Sequence, residues 1–111
     1  MDVELQVIAD CPNTPEAFDL LRQALDHLGL SDVRIGVTTV TDAEHADRIR
    51  FLGSPAFVVD GRDLFENAGS VAAYACRVYP GPAGLTGLPT LAELTEALRR
   101  VESTKLGIRP M

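Results

Sequence analysis

A strand pattern passes into a helix pattern at the start of this chain, and a second strand follows the helix. Val3 to Ala9 reads as a strand, Asp10-Cys11-Pro12-Asn13-Thr14-Pro15 as a turn, and Glu16 to Leu28 as a helix. Ala17, Leu20, Leu21, Ala24, Leu25 and Leu28 recur at i, i+3, i+4 and i+7, and Gly29 supplies the stop. Val33, Ile35, Val37 and Thr39 then alternate with Arg34, Gly36 and Thr38, the period of a strand. A strand–helix–strand opening commits the chain to an α/β layout.

The remaining elements follow from local signals. Thr41-Asp42-Ala43-Glu44 reads as a capping box opening a short helix through Ile49, with a stop at Gly53. Ala56-Phe57-Val58-Val59 is a strand ending in Asp60-Gly61, a two-residue hairpin signal, and Arg62-Asp63-Leu64-Phe65 is its natural return. Thr90-Leu91-Ala92-Glu93 is a second capping box, and Leu91, Leu94, Leu98 and Val101 stripe the helix it opens. The order β-α-β-α-β-β-α predicts a four-stranded mixed sheet with helices on both faces, a three-layer α/β/α sandwich. We expect one domain over 1–102, with 66–89 as an insert and 103–111 as a frayed tail. In the Gly- and Pro-rich insert, Tyr74 to Tyr79 is the one compact segment with the makings of a short strand.

Composition narrows the function classes. Aromatics are 5% of the chain against 46% apolar residues, which predicts a core of Leu, Val, Ile and Ala. A net charge of −6 gives no electrostatic footprint for nucleic acid or an anionic membrane. The N-terminus lacks the basic and apolar regions of a signal peptide, and no apolar run approaches the roughly 18 residues that span a bilayer. The expected location is cytoplasmic, where thiols stay reduced.

Cys11 falls where the first strand hands over to the first helix. A thiol there sits among unpaired backbone N–H groups at the positive end of a helix dipole, which favours the nucleophilic thiolate. Asp10 opposes this as a neighbouring like charge, and the alternative is a buried cysteine acting as a small hydrophobe. Thr14 is either the helix cap, with Pro15 at the first helical position, or a hydroxyl donor to the Cys11 sulfur. Pro55 either simply starts a strand in the trans form or, in the cis form, presents adjacent backbone to an extended substrate. Cys76 is either a buried apolar residue or a second reactive thiol. The return strand ends at the Cys11 end of the sheet, so the insert can carry Cys76 over Cys11. His27 reads as a polar-face residue, His45 as simply solvated, and Arg62 and Asp63 as ordinary hairpin polar residues. Arg77 would lower the Cys76 pKa if its side chain turned toward that thiol.

The element order, the cysteine after the first strand and Gly53-Ser54-Pro55 before the third resemble the thioredoxin-like, and in the Val59–Phe65 hairpin the glutaredoxin-like, superfamily. The resemblance covers nearly the whole chain except the insert. It implies that Cys11 opens the first helix as a nucleophile and that Pro55 faces it with a cis peptide bond. Cys11-Pro12-Asn13-Thr14 departs from Cys-x-x-Cys and resembles the monothiol variants, in which a hydroxyl residue replaces the second cysteine. The implied function is thiol–disulfide exchange or thiol transfer, with Cys11 attacking and Cys76 or a small thiol resolving. Thr14 would assist, and Pro12, Ser54 and Pro55 would contact substrate. The implied partner is a disulfide-containing protein or a low-molecular-weight thiol, with no cofactor and no resident metal. Two alternatives belong to other classes: a non-catalytic binding module on the same scaffold, and a soft-metal protein using the Cys11 and Cys76 thiolates for mercury or copper. The dipole argument predicts faster alkylation at Cys11 than at Cys76.

Overall fold

The computed structural model describes residues 1–66, 69–81 and 84–105. β1 (Val3–Ile8) lies inside a four-stranded sheet, pairing parallel with β2 (Ile35–Val40) and antiparallel with β3 (Ala56–Val59). β4 (Arg62–Asp63) adds antiparallel to β3, giving the order β2-β1-β3-β4. Strand periodicity divides the side chains between two layers. Val3, Leu5, Val7, Phe57 and Val59 pack with Ala17, Leu21, Ala24 and Leu25 of α1 (Thr14–His27) and with Leu94 and Leu98 of α3 (Leu91–Lys105). On the opposite face Val40, Ala56 and Val58 pack with Phe51 and with Ala46 of the short α2 (Ala43–Ile49). The chain is thus a mixed α/β protein with a helix layer on each side of its sheet.

Several expectations shift by a residue or more, each for a local reason. The α1 cap position is Asn13, which makes no side-chain capping bond, so Thr14 is the first helical residue rather than the cap. The α2 box also moves by one. The Asp42 carboxylate accepts from the backbone N–H of His45 at 2.7 Å, and His45 Nδ1 accepts from the N–H of Thr41 at 3.2 Å. His45 therefore does the work expected of Glu44 and is not simply solvated. α2 runs through Ile49 as expected, but the stop is Arg50 in a left-handed conformation and not Gly53. The Thr90 box forms as expected, with Thr90 Oγ1 accepting from the Glu93 N–H and the Glu93 carboxylate accepting from the Thr90 N–H.

The Asp60-Gly61 turn has positive φ at both residues, 51° and 84°, which Gly61 adopts without steric cost. β4 stops after two residues because Asp63 Oδ1 accepts the Phe65 N–H at 2.8 Å, turning the chain off the ladder. The proposed 74–79 strand does not form as such. Its pairing is a single parallel bridge at Cys76, and Tyr79 instead opens a hairpin of β5 (Tyr79–Gly81) and β6 (Gly84–Thr86). That hairpin has no alternating signal in its Gly- and Pro-containing sequence. α3 continues through Lys105, so Ser103 to Lys105 belong to a helix; Leu106 to Met111 lie outside the described residues. The core also departs from its aliphatic forecast, since Phe51, Phe57 and Tyr79 are buried in it and ring pairs join Phe57, Phe65 and Tyr79 at 5.3–6.2 Å. No helix among the described residues is long and apolar enough to cross a membrane.

Continued two residues past Gln6–Ala56, the antiparallel register brings Ser54 opposite Ile8, and there the ladder is replaced by a side-chain bond. Fully buried Ser54 accepts the Ile8 N–H on its Oγ at 3.1 Å. Ser54→Ala leaves that donor without its partner and is expected to lower stability by about 1–3 kcal/mol, read as a lower urea midpoint at unchanged slope.

Candidate functional site

The C-terminal end of β1 and the start of β3 meet at one end of the sheet. From β1 the chain passes through Asp10, held at φ 63°, into Cys11, whose N–H donates to the Ile8 carbonyl at 3.3 Å. The Cys11 carbonyl accepts from the Thr14 N–H at 3.3 Å, so Cys11 lies in a turn two residues before the helix cap. Pro12 is exposed and Thr14 half-buried beside it. Cys11 itself is 7% exposed and belongs to the main apolar cluster. The Ser54–Pro55 peptide bond is cis, and Pro55 is fully buried.

The insert returns to this end. The Ala73 N–H donates to the Phe51 carbonyl at 2.8 Å, the Ser54 N–H to the Ala75 carbonyl at 2.8 Å, and the Arg77 N–H to the Ser54 carbonyl at 2.9 Å. Cys76 is thereby the register partner of Ser54. Paired residues of a ladder direct their side chains to the same side. The Ser54 side chain is the one bonded to Ile8, three residues before Cys11. Cys76 is exposed, and both cysteines are free thiols.

Arg77 does not turn to the thiol beside it. Its Nη1 donates to Asp63 Oδ2 at 2.6 Å, its Nη2 to the Phe65 carbonyl at 3.2 Å, and its guanidinium lies 4.9 Å from the centre of the Tyr79 ring. Asp63 is therefore an anchor, with its side chain 7% exposed, and not an ordinary hairpin polar residue. The Tyr79 hydroxyl donates to the Pro55 carbonyl at 2.5 Å. Burial pushes the Tyr79 phenol well above its ordinary value, outweighing the opposing pull of Arg77, so it remains a donor. Gly53, at φ 123°, is required by close approach as well as by conformation. A Cβ there would stand 2.8 Å from the Cβ of Arg77.

The structure thus brings Ser54, Pro55 and Cys76 together and puts Cys11 and Pro12 on the adjoining loop, with Thr14 opening α1. Sequence reasoning missed Asp63, Tyr79 and Gly53 as parts of this arrangement. The available signals were Gly53 itself and one of the two tyrosines lying inside a Gly/Pro-rich stretch. Among the described residues no group of three or more His, Cys, Asp or Glu side chains is assembled to hold a metal ion. Comparison with protein-family models, curated proteins and solved structures finds no match for this chain.

Two outcomes are expected. Exposure favours Cys76 while the loop before the helix favours Cys11, so the Cys11:Cys76 alkylation ratio should rise as the reagent shrinks from a maleimide to iodoacetamide. Peptide mapping after partial labelling reads that ratio directly. The raised Tyr79 value keeps its proton on the folded chain after the unfolded chain begins to lose its own near pH ~10. Its contribution is therefore intact below that pH and lost as pH rises above it. The pH dependence of Tm between pH ~8.5 and ~11.5 should be shallower in Tyr79→Phe than in the wild type.

Proposed function

We propose that this chain is a thioredoxin-like thiol protein that carries out thiol–disulfide exchange through Cys11 and Cys76. The Cys11 thiolate attacks a disulfide RSSR, forming Cys11–S–S–R and releasing RS⁻. The Cys76 thiolate then attacks the Cys11 sulfur, expels the second RS⁻ and leaves a Cys11–Cys76 disulfide. The protein dithiol loses two electrons and two protons, and RSSR becomes two RSH. Two small thiols reverse the process. Ser54, cis-Pro55 and Pro12 form the wall beside the reacting sulfurs, and the Thr14 hydroxyl donates toward the Cys11 thiolate.

The observation that carries this reading is the register of Cys76 on Ser54, the residue whose hydroxyl is bonded to the end of β1 just before Cys11. The strand order β2-β1-β3-β4 and the cis bond at Pro55 support the fold assignment. Access of 7% at Cys11 favours a second reading, a non-catalytic module in which Cys11 is a core residue.

Mild oxidation followed by intact-mass and peptide mapping separates the two. The proposal expects a loss of about 2 Da in the monomer and one peptide linking Cys11 to Cys76. Cys76→Ser should accumulate the mixed disulfide on Cys11, and Cys11→Ser should abolish the exchange. Intermolecular disulfides alone, or no oxidation at Cys11, would sink the redox reading and leave the binding module.

A further inference from the structure

A sheet edge with free N–H and C=O groups accepts an extended chain. At Ser54 both of those groups are already taken, the N–H by Ala75 and the carbonyl by Arg77. With Ala73 bonded to Phe51, the segment lies along residues 51–54, joined to them by three backbone bonds and one parallel bridge supplied by the chain itself.

We propose that Arg77 is a specificity-determining latch. It holds the segment Ala73–Tyr79 on the Ser54 edge, so that the thiol site takes small disulfides and excludes extended polypeptides while the latch is closed. This rests on the thiol-pair reading above for the chemistry it controls.

The anchoring side chains are not themselves thiols, but the segment they hold carries Cys76. One guanidinium joins the segment to the Asp63 carboxylate and the Phe65 carbonyl of the β3–β4 hairpin end, and it lies over the ring of Tyr79. The side chains of Arg77 and Asp63 are 13% and 7% exposed, and Asp63 is itself fixed by the Phe65 N–H. Removing one member of so buried a pair strands the other charge, so substituting either Arg77 or Asp63 releases the latch. Tyr79 closes the far end through its bond to the Pro55 carbonyl. The absence of a side chain at Gly53 lets the Arg77 backbone come close enough for the Ser54 bonds to form. An incoming polypeptide strand would have to displace three backbone bonds and this ion pair together. A small disulfide requires none of those groups and needs only the sulfurs.

The test mixes fully reduced protein, in single turnover, with bis(2-hydroxyethyl) disulfide or with insulin, and follows loss of the Cys11 thiol on the protein itself by acid quench, alkylation and mass mapping, which reads the first attack and not its resolution by Cys76. The wild type should react with insulin at least about tenfold more slowly than with the small disulfide. Arg77→Ala should raise the insulin rate at least about tenfold, a lowered barrier of about 1.4 kcal/mol, and leave the small-disulfide rate within about threefold. Arg77→Lys should fall between, since a single ammonium cannot reproduce the fork and the ring contact. In parallel, amide hydrogen exchange should show Ser54 and Arg77 protected in the wild type and losing protection in Arg77→Ala and Asp63→Asn by a larger factor than the core amides of Leu5 and Phe57, which track global stability. Asp63→Asn keeps the volume and supplies the second variant if Arg77→Ala loses its core protection. Equal wild-type rates for both substrates, an unchanged insulin rate in the variants, or free exchange at Ser54 in the wild type would overturn the latch. If neither disulfide oxidises the wild type, the thiol-pair reading fails by itself. The latch is then decided by the amides: it stands if Ser54 and Arg77 lose protection by a larger factor than the core in both variants and falls if they do not.

Discussion

β1 is hydrogen-bonded along both edges, and that double pairing organises everything else. Its parallel partner β2 and antiparallel partner β3 between them take up its ladder groups, while Val3, Leu5 and Val7 fill the α1/α3 side. Burying each such side chain contributes about 1.5–3 kcal/mol, so a slip of one residue, which would move all three to the other face, is strongly disfavoured. The opposite side carries Glu4, whose carboxylate accepts from Gln6 at 2.8 Å and from the Thr38 hydroxyl. Register fixed in this way brings the end of β1 and the start of β3 to the same end of the sheet. The loop holding Cys11 therefore opens beside Ser54 and Pro55.

Ser54 joins the sheet to the insert. A buried residue with three hydrogen-bonding groups must have each of them satisfied, and here each partner is a different part of the chain. Its hydroxyl takes Ile8, its N–H binds Ala75 and its carbonyl takes Arg77. The bonds that hold the insert in place are thus the ones that close the edge to an outside strand. Stability and selectivity are coupled here through the same backbone groups.

The ion pairs of the molecule are unequal for the same reason. Arg62–Glu66 and Arg48–Glu44 are solvent-exposed pairs of the kind worth about 0–1 kcal/mol. Arg77–Asp63 is enclosed and hydrogen-bonded on both sides, where removing one partner costs about 3–5 kcal/mol. Arg22 plays a smaller clamping part elsewhere, donating to the carbonyls of Val33 and Leu30 and so tying the α1–β2 connection to the helix. Neither arginine's role follows from its sequence neighbours, because both roles are set by carbonyls and carboxylates brought in by the fold.

Periodicity was enough to read the α/β class, the element order through α2, the β3 strand with its Asp60-Gly61 turn, and the Thr90 box, because each depends on contacts within a few residues. The same short-range logic brought Cys11 to the strand–helix junction and Ser54-Pro55 to the head of β3. It failed where the deciding partner is distant in the chain. Two side-chain bonds within four residues also escaped it, Asp63 to the Phe65 N–H, which ended β4, and His45 rather than Glu44 to the Thr41 N–H at the α2 cap. In the Gly/Pro-rich insert, local propensity is weak and backbone bonds to Phe51 and Ser54 set the path. The sequence by itself determined which residues alternate between faces and where the chain turns. Only the tertiary structure decided that Cys76 lies opposite Ser54 and that Arg77 turns to Asp63, because buried polar groups must be paired and only the folded chain supplies those partners.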